Sequence, residues 1–144
     1  MTNSDRLRAW YSEVWEKGNT DAIDHFFAPD TMAEGLIPEM QVGADDFRDL
    51  VMAFRHVLGD ITVELPKIIE NGDWVSGILH VRTFRADNGA PLEVTGQVMA
   101  RFKGDKMVEA YNQFDFVSFF EQLGQFPQDT LPVCMTGQRL DWAG

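Results

Sequence analysis

The chain has 144 residues, an apolar share of 44% and a formal net charge of −11. A single domain of this size buries about two-thirds of its unfolded surface, and the acidic balance argues against nucleic-acid and anionic-membrane partners, whose phosphates repel it. No apolar run approaches the roughly 18 residues of a membrane span, MTNSDRLRAW has no apolar leader core, and the lone Cys134 makes no internal disulfide, so a cytoplasmic protein is expected.

Residues 4–17 read as a first helix. Leu7, Trp10, Tyr11, Val14 and Trp15 recur at three- and four-residue steps, Ser4 is a cap candidate, and Gly18-Asn19 ends the run. Thr20 or Asp21 opens a second, short helix with Ala22, Ile23, Phe26 and Phe27 on its apolar face, stopped by Pro29-Asp30. TMAEGLI, residues 31–37, reads as a short edge strand between Pro29 and Pro38. A third helix spans 44–58, with Phe47, Leu50, Val51, Phe54, Val57 and Leu58 as its buried stripe and Gly59 as its stop.

From Ile61 the period changes to two. ITVELPKIIE is a strand interrupted by Pro66, hence at an edge or bulged. Asn71-Gly72, Asp87-Asn88-Gly89 and Lys103-Gly104-Asp105 are turn signals, and they separate WVSGILHVRTFR, LEVTGQVMARF and MVEAYNQFDF. Four strands joined by three hairpin turns make an antiparallel meander. Strands this long twist and curl, and helices laid on one face of a curled sheet enclose a cone. Asp115 then caps a short helix carrying Phe116, Phe119, Phe120 and Leu123, closed by Gly124. Helices first and strands later give an α+β fold, three N-terminal helices packed on a strongly curved antiparallel sheet. Residues 1–124 form that domain. Residues 125–144 read as an irregular extension whose Phe126, Leu131, Val133, Met135, Leu140 and Trp142 pack over the pocket mouth or on a partner subunit.

Alternation assigns faces. Leu92, Val94, Gly96, Val98, Ala100 and Phe102 face the helices, as do Val108, Ala110, Asn112 and Phe114. For 74–85 both faces are apolar: Trp74, Ser76, Ile78, His80, Arg82 and Phe84 on one, Val75, Gly77, Leu79, Val81 and Thr83 on the other. The outer face therefore also asks for cover, and a homodimer through it is the natural way. Asn112 is a polar residue on an apolar face, and so are His80 and Arg82 if theirs is the inner one. A few convergent polar groups in an apolar concavity are the make-up of a small-molecule site.

The order helix, GNTDAIDHFFAPD, short strand, G-x-D-D-F opening a third helix, meander, then E-A-Y-N-Q-F-D and E-Q-L-G resembles the SnoaL-like polyketide cyclases. These belong to the nuclear-transport-factor-2-like superfamily, with ketosteroid isomerase and limonene epoxide hydrolase. The resemblance runs from about Trp10 to Gly124. It implies a cone-shaped α+β barrel (nuclear-transport-factor-2-like) with a deep apolar pocket, often as a homodimer. It also implies an aspartate general acid/base on the last strand, and that position falls on Asn112 here. The accompanying histidine falls on Val98. In the epoxide hydrolase pattern the arginine matches Arg82, while the second aspartate falls on Phe84. The fold carries over and neither catalytic set does.

His80 is the remaining acid/base candidate, since imidazole titrates near neutral pH; the alternative is a histidine hydrogen-bonded in the sheet or at the dimer face. Arg82 either binds an enolate or carboxylate, or pairs with Glu34 or Glu93. Asn112 either donates to a developing oxyanion, orients a ligand, or is a residue left after catalysis was lost. Trp15, Phe54, Phe84, Val98, Phe114 and Glu34 are the candidate ligand-facing set. No His or acid spacing suits a metal, and no cofactor is expected. The expected function is thus a cofactor-independent isomerase, cyclase, dehydratase or hydrolase on a small apolar carbonyl compound, or a non-catalytic binding protein for an apolar metabolite.

Overall fold

The computed structural model describes residues 1–140, which form five α-helices and a five-stranded sheet. Helix α1 spans Asn3–Trp10 and continues as a π-helical segment, Tyr11–Glu16. A 3₁₀ turn, Thr20–Ala22, leads into α2, Ile23–Phe26. Strand β1 is Ala33–Glu34, helix α3 is Ala44–Val57, and the meander follows as β2 (Thr62–Asn71), β3 (Trp74–Phe84), β4 (Pro91–Lys103) and β5 (Lys106–Phe114). Helices α4, Phe116–Gln122, and α5, Thr130–Met135, close the described chain.

The strand order is β1-β5-β4-β3-β2. The meander is antiparallel throughout, but β1 pairs with β5 in parallel, through Ala33 with Ala110 and Glu34 with Tyr111. The sheet is therefore mixed and open, with β1 and β2 as its edges, and the helices close the cone. Two residues cannot show a strand period, so neither the shortness of β1 nor its direction follows from local pattern. Pro66 sits at an irregularity between Glu64 and Lys67 on edge strand β2, where its missing N–H costs no ladder bond. A second irregularity, where Arg101 pairs Glu109 but Phe102 pairs Met107, leaves Val108 unopposed and turns Met107 inward instead.

Helix α1 is capped two residues earlier than expected. Thr2 is its cap: the Thr2 hydroxyl accepts from the Asp5 amide, and the Asp5 carboxylate accepts from the Thr2 amide. Ser4 instead spends its hydroxyl and amide on Glu70 of β2, at 2.6 and 2.8 Å. Helix α5 replaces the irregular extension expected there. Pro132 falls in its first turn, where a missing N–H is harmless. Phe126 packs edge-on against Phe120 at 6.0 Å, while Leu131 and Met135 stay exposed. Trp142 lies outside the described residues.

One core cluster joins α1, α2, α3 and the lower sheet, with the Trp10 ring stacked on Phe27 at 5.0 Å and edge-on to Phe47 at 5.1 Å. A second joins Leu58, Ile61, Leu92, Val94, Phe119 and Leu123 under α4. Trp15, Val63 and Phe114 border both clusters, so the seam between them is the place where a cavity can open.

Candidate functional site

A cavity of about 80 Å³ lies at that seam. Counting one water per 10–15 Å³ of such space, it has room for on the order of six non-hydrogen atoms. Fifteen residues line it, and every layer of the fold contributes. Trp10, Tyr11 and Trp15 come from the first helix, Phe47, Phe54 and Leu58 from the third helix and its end, and Leu36 from the loop after β1. Ile61, Val63, Val81, Val94, Asn112 and Phe114 come from the sheet side, and Phe116 and Phe119 from α4.

The π-helical segment explains how one helix supplies three of these side chains. Its wider turn closes i to i+5 bonds, such as Lys17 N–H to Ser12 O at 3.0 Å, and so brings Trp10 and Trp15 onto one face. The Trp15 and Glu16 carbonyls released by that geometry accept from Arg55 Nη1 at 2.6 and 3.1 Å. At the other end, Asp115 caps α4 by accepting from the Ser118 amide at 3.1 Å. That bond is worth about 1 kcal/mol and fixes the angle at which Phe116 and Phe119 enter the wall.

Of the expected site residues, Trp15, Phe54, Phe114 and Asn112 stand on the cavity wall. Asn112 is 8% exposed, and its Nδ2 donates to the Glu34 carbonyl at 3.3 Å. Val98 is buried in the core without reaching the wall. Glu34 turns outward, accepting from Gln41 Nε2 at 2.9 Å, and Phe84 lays its ring over Gly59.

His80 and Arg82 are not brought together with Asn112. Val75, Leu79 and Val81 of β3 face the helices, so the residues between them face away. Arg82 pairs with Glu64 at 2.6 Å and Glu93 at 3.2 Å, and His80 Nε2 lies 3.6 Å from Glu93. His80 opens instead onto a separate polar hollow shared with Thr95, Asp115, Ser118 and Gln122. The inner face of β3 is the one that carries no polar group but Thr83. Exposed Ile78 and Phe84 on the outer face are what made the two faces look alike.

Tyr11 is the polar wall residue that the sequence reading placed in the core stripe and gave no site role. Its phenol is pushed above its ordinary acidity range by burial, so it stays neutral and able to donate. A tyrosine on an otherwise apolar helix stripe, four residues before Trp15, was the available signal. Among the described residues no group of three or more His, Cys, Asp or Glu is placed to hold a metal, and no helix is long and apolar enough to cross a membrane.

The family model of the SnoaL-like polyketide cyclases matches residues 5–123. Among solved structures, the chain is similar to IdmH of Streptomyces antibioticus, provisionally named a polyketide cyclase, at a TM-score of 0.76 and 22% identity over 86% of this chain and 99% of that one. It is also similar to AclR of Streptomyces galilaeus, provisionally named a hydroxylase (TM-score 0.75, 17% identity, 94% of this chain and 91% of that one). A third similar structure is a Catenulispora acidiphila protein with a ketosteroid isomerase-like fold, complexed with trimethylamine (TM-score 0.71, 17% identity, 83% and 92%). No curated protein matches the chain. At these identities the solved structures speak for the fold alone. With 5–123 covered by the family model and the open α+β cone in place, the chain belongs to the SnoaL-like polyketide cyclase family.

Proposed function

We propose that the chain binds a small, uncharged, largely apolar carbonyl compound in the cavity and supplies no proton-transferring carboxylate or imidazole of its own to it. One observation carries this reading: the fifteen wall residues include no Asp, Glu, His, Lys or Arg. A charged ligand there would leave water without a counter-charge, which is costly. Polyketides are carbonyl-bearing carbon frames, so the family supports the ligand class. The volume suits a six-membered ring or the end of a larger molecule entering past the half-buried Trp15, Phe54 and Phe116.

A thermal-shift screen of small neutral carbonyl compounds tests the reading. A ligand present at 100 times its Kd should add about 2.7 kcal/mol to the unfolding free energy. Val81→Phe fills the cavity from the β3 side and should abolish that gain while leaving the unliganded protein folded. A gain retained in Val81→Phe places the ligand elsewhere and overturns the reading.

A second reading, a cofactor-independent isomerase, cyclase, dehydratase or hydrolase on the same compounds, draws on family membership and on Asn112 facing the cavity, where its amide would polarise the carbonyl. Turnover followed by NMR in the same samples separates the two. The proposal also includes a homodimer through the outer sheet face. Ile78, Met99 and Tyr111 are 42%, 46% and 39% exposed across β3, β4 and β5, with Trp74 stacked on Tyr111, and a contiguous apolar patch of this kind is a surface for association. Light scattering should give the dimer mass at micromolar concentration and the monomer mass for Ile78→Glu. A monomer mass for the wild type would overturn it.

A further inference from the structure

We propose that Leu36 sets the size of ligand the cavity takes: a carbonyl compound longer than the cavity, such as a fused two-ring ketone, fits by taking the place of the Leu36 side chain, which swings out on its loop. This deepens the reading above and rests on it. The cavity has room for on the order of six non-hydrogen atoms, so a ligand larger than a single ring has to move part of the wall. Most of that wall resists movement. Phe54 is stacked on Phe116 at 6.3 Å, Phe116 packs on Phe114 at 5.7 Å and Trp15 stands edge-on to Phe47 at 5.9 Å, so displacing one ring disturbs the next. Val63, Val81 and Val94 are fixed by the β2–β3 and β3–β4 ladders.

Leu36 is held differently. It is buried, yet it stands on the loop between β1 and α3, and residues 37–41 that follow it are all exposed. The loop is pinned at its base: Ala33 and Val42 exchange bonds of 2.8 Å, Asn112 Nδ2 donates to the Glu34 carbonyl, and the Glu34 carboxylate accepts from Gln41. Within the tip the backbone bond is a local one, Met40 N–H to Ile37 O at 3.1 Å. A short stretch with few buried contacts and few backbone bonds opens at lower free energy than the helices and sheet around it. The tip also carries the surface a larger ligand needs. Ile37 and Met40 are exposed apolar side chains on it, and the flexible thioether of methionine adapts to irregular shapes. Once Leu36 is out, they close over the part of the ligand that has replaced it. Leu58 is the contrasting leucine of the same wall. It ends α3, its amide donates to the Phe54 carbonyl at 3.1 Å, and it bridges to Arg85, so it stays in place.

Cyclohexanone and decalone carry the same carbonyl on one ring and on two fused rings. Both are titrated into the wild type, Leu36→Ala and Leu58→Ala, followed by intrinsic tryptophan fluorescence. The wild type should bind both. Leu36→Ala removes the group that has to leave, so its affinity for decalone relative to cyclohexanone should rise about tenfold or more, the cost of returning one leucine side chain to water. Leu58→Ala deletes the same atoms from a wall that does not yield and should leave that ratio near its wild-type value. The wild type also reports directly through ¹³C-labelled leucine methyls. The Leu36 resonances should move to the position of a solvent-exposed leucine when decalone binds and keep a buried position when cyclohexanone binds, while those of Leu58 stay buried with both. Leu36 methyls that remain buried with decalone bound, an equal rise of the ratio in the two variants, or a wild type that binds cyclohexanone and not decalone would overturn the proposal and leave the cavity reading standing. Binding of neither ketone would overturn both. Were Leu36→Ala to misfold, the wild-type methyl resonances decide the matter without it.

Discussion

Replacing Gly35 by alanine is expected to destabilise the protein by about 4 kcal/mol and lower its Tm by ~10 °C or more. Two effects add. Gly35 has φ of +89°, in the left-handed region that costs a residue with a Cβ about 1–2 kcal/mol. In addition, a Cβ there would stand 1.9 Å from the backbone oxygen of Asn112, and a main-chain atom in β5 has no rotamer to retreat into. The loop after β1 must lie this close because Ala33 pairs with Val42 through mutual bonds of 2.8 Å, which folds residues 33–42 back and delivers Leu36 to the cavity. Gly72→Ala is the matched control. Gly72 has φ of +59° and nothing within 4 Å of the added carbon, so only the conformational cost, about 1–2 kcal/mol, should appear. Chemical denaturation of the two variants reads the difference. Equal losses would mean that close approach to Asn112 is not what Gly35 serves.

Asn112→Asp should cost about 3 kcal/mol at neutral pH and much less near pH 4. The amide donates to the Glu34 carbonyl, whereas an ionised carboxylate would face that oxygen as a second acceptor, buried and with no cation on the cavity wall. Burial and lost donation both disfavour the charged form, so the folded-state pKa of the new acid rises above its unfolded value of about 3.9. Below the unfolded pKa both states are protonated, and the acid O–H can replace the lost donor. As pH climbs from the unfolded toward the folded pKa, the unfolded state releases its proton first and the variant loses stability. Urea midpoints of wild type and variant between pH 4 and 8 should therefore diverge as pH rises. A constant gap across that range would show that position 112 is solvated in solution.

The meander was legible because its signals are local. Three Gly-containing turns, a change of period at Ile61 and the one-sided polarity of β4 and β5 each sit within a few residues of what they determine. Helix α3 shows its stripe in the same way, with Phe47, Val51 and the following Leu58 buried, although Val57, expected in the stripe, is exposed. What failed to show depends on distant partners. The face of β3 could not be read from a strand apolar on both sides, and with it the positions of His80 and Arg82 stayed open. The parallel pairing of β1 is settled by β5, nearly eighty residues later. Thr2 and Ser4 are equally good caps on composition, and Glu70 of β2 decides between them. A π-helical turn leaves the same three- and four-residue spacing as an α-helix, so the face shared by Trp10, Tyr11 and Trp15 was visible only as core. One polar residue of the cavity wall, Asn112, announced itself by breaking a pattern. Another, Tyr11, fitted its pattern and stayed hidden.

The open sheet has a consequence for aggregation. An unpaired strand edge is a template on which a second chain can add itself and start a fibre or a swapped dimer. Edge strand β2 is poor at this. The amide of Val63 is already taken by Glu16 Oε2 at 2.9 Å, Pro66 has no amide to give, and the irregularity between Glu64 and Lys67 breaks the straight ladder a newcomer would need. At the opposite border β1 spans only two residues, too short to nucleate growth. Strand-by-strand polymerisation is therefore disfavoured at both margins, by an occupied amide, a proline and a broken ladder on one side and by sheer shortness on the other.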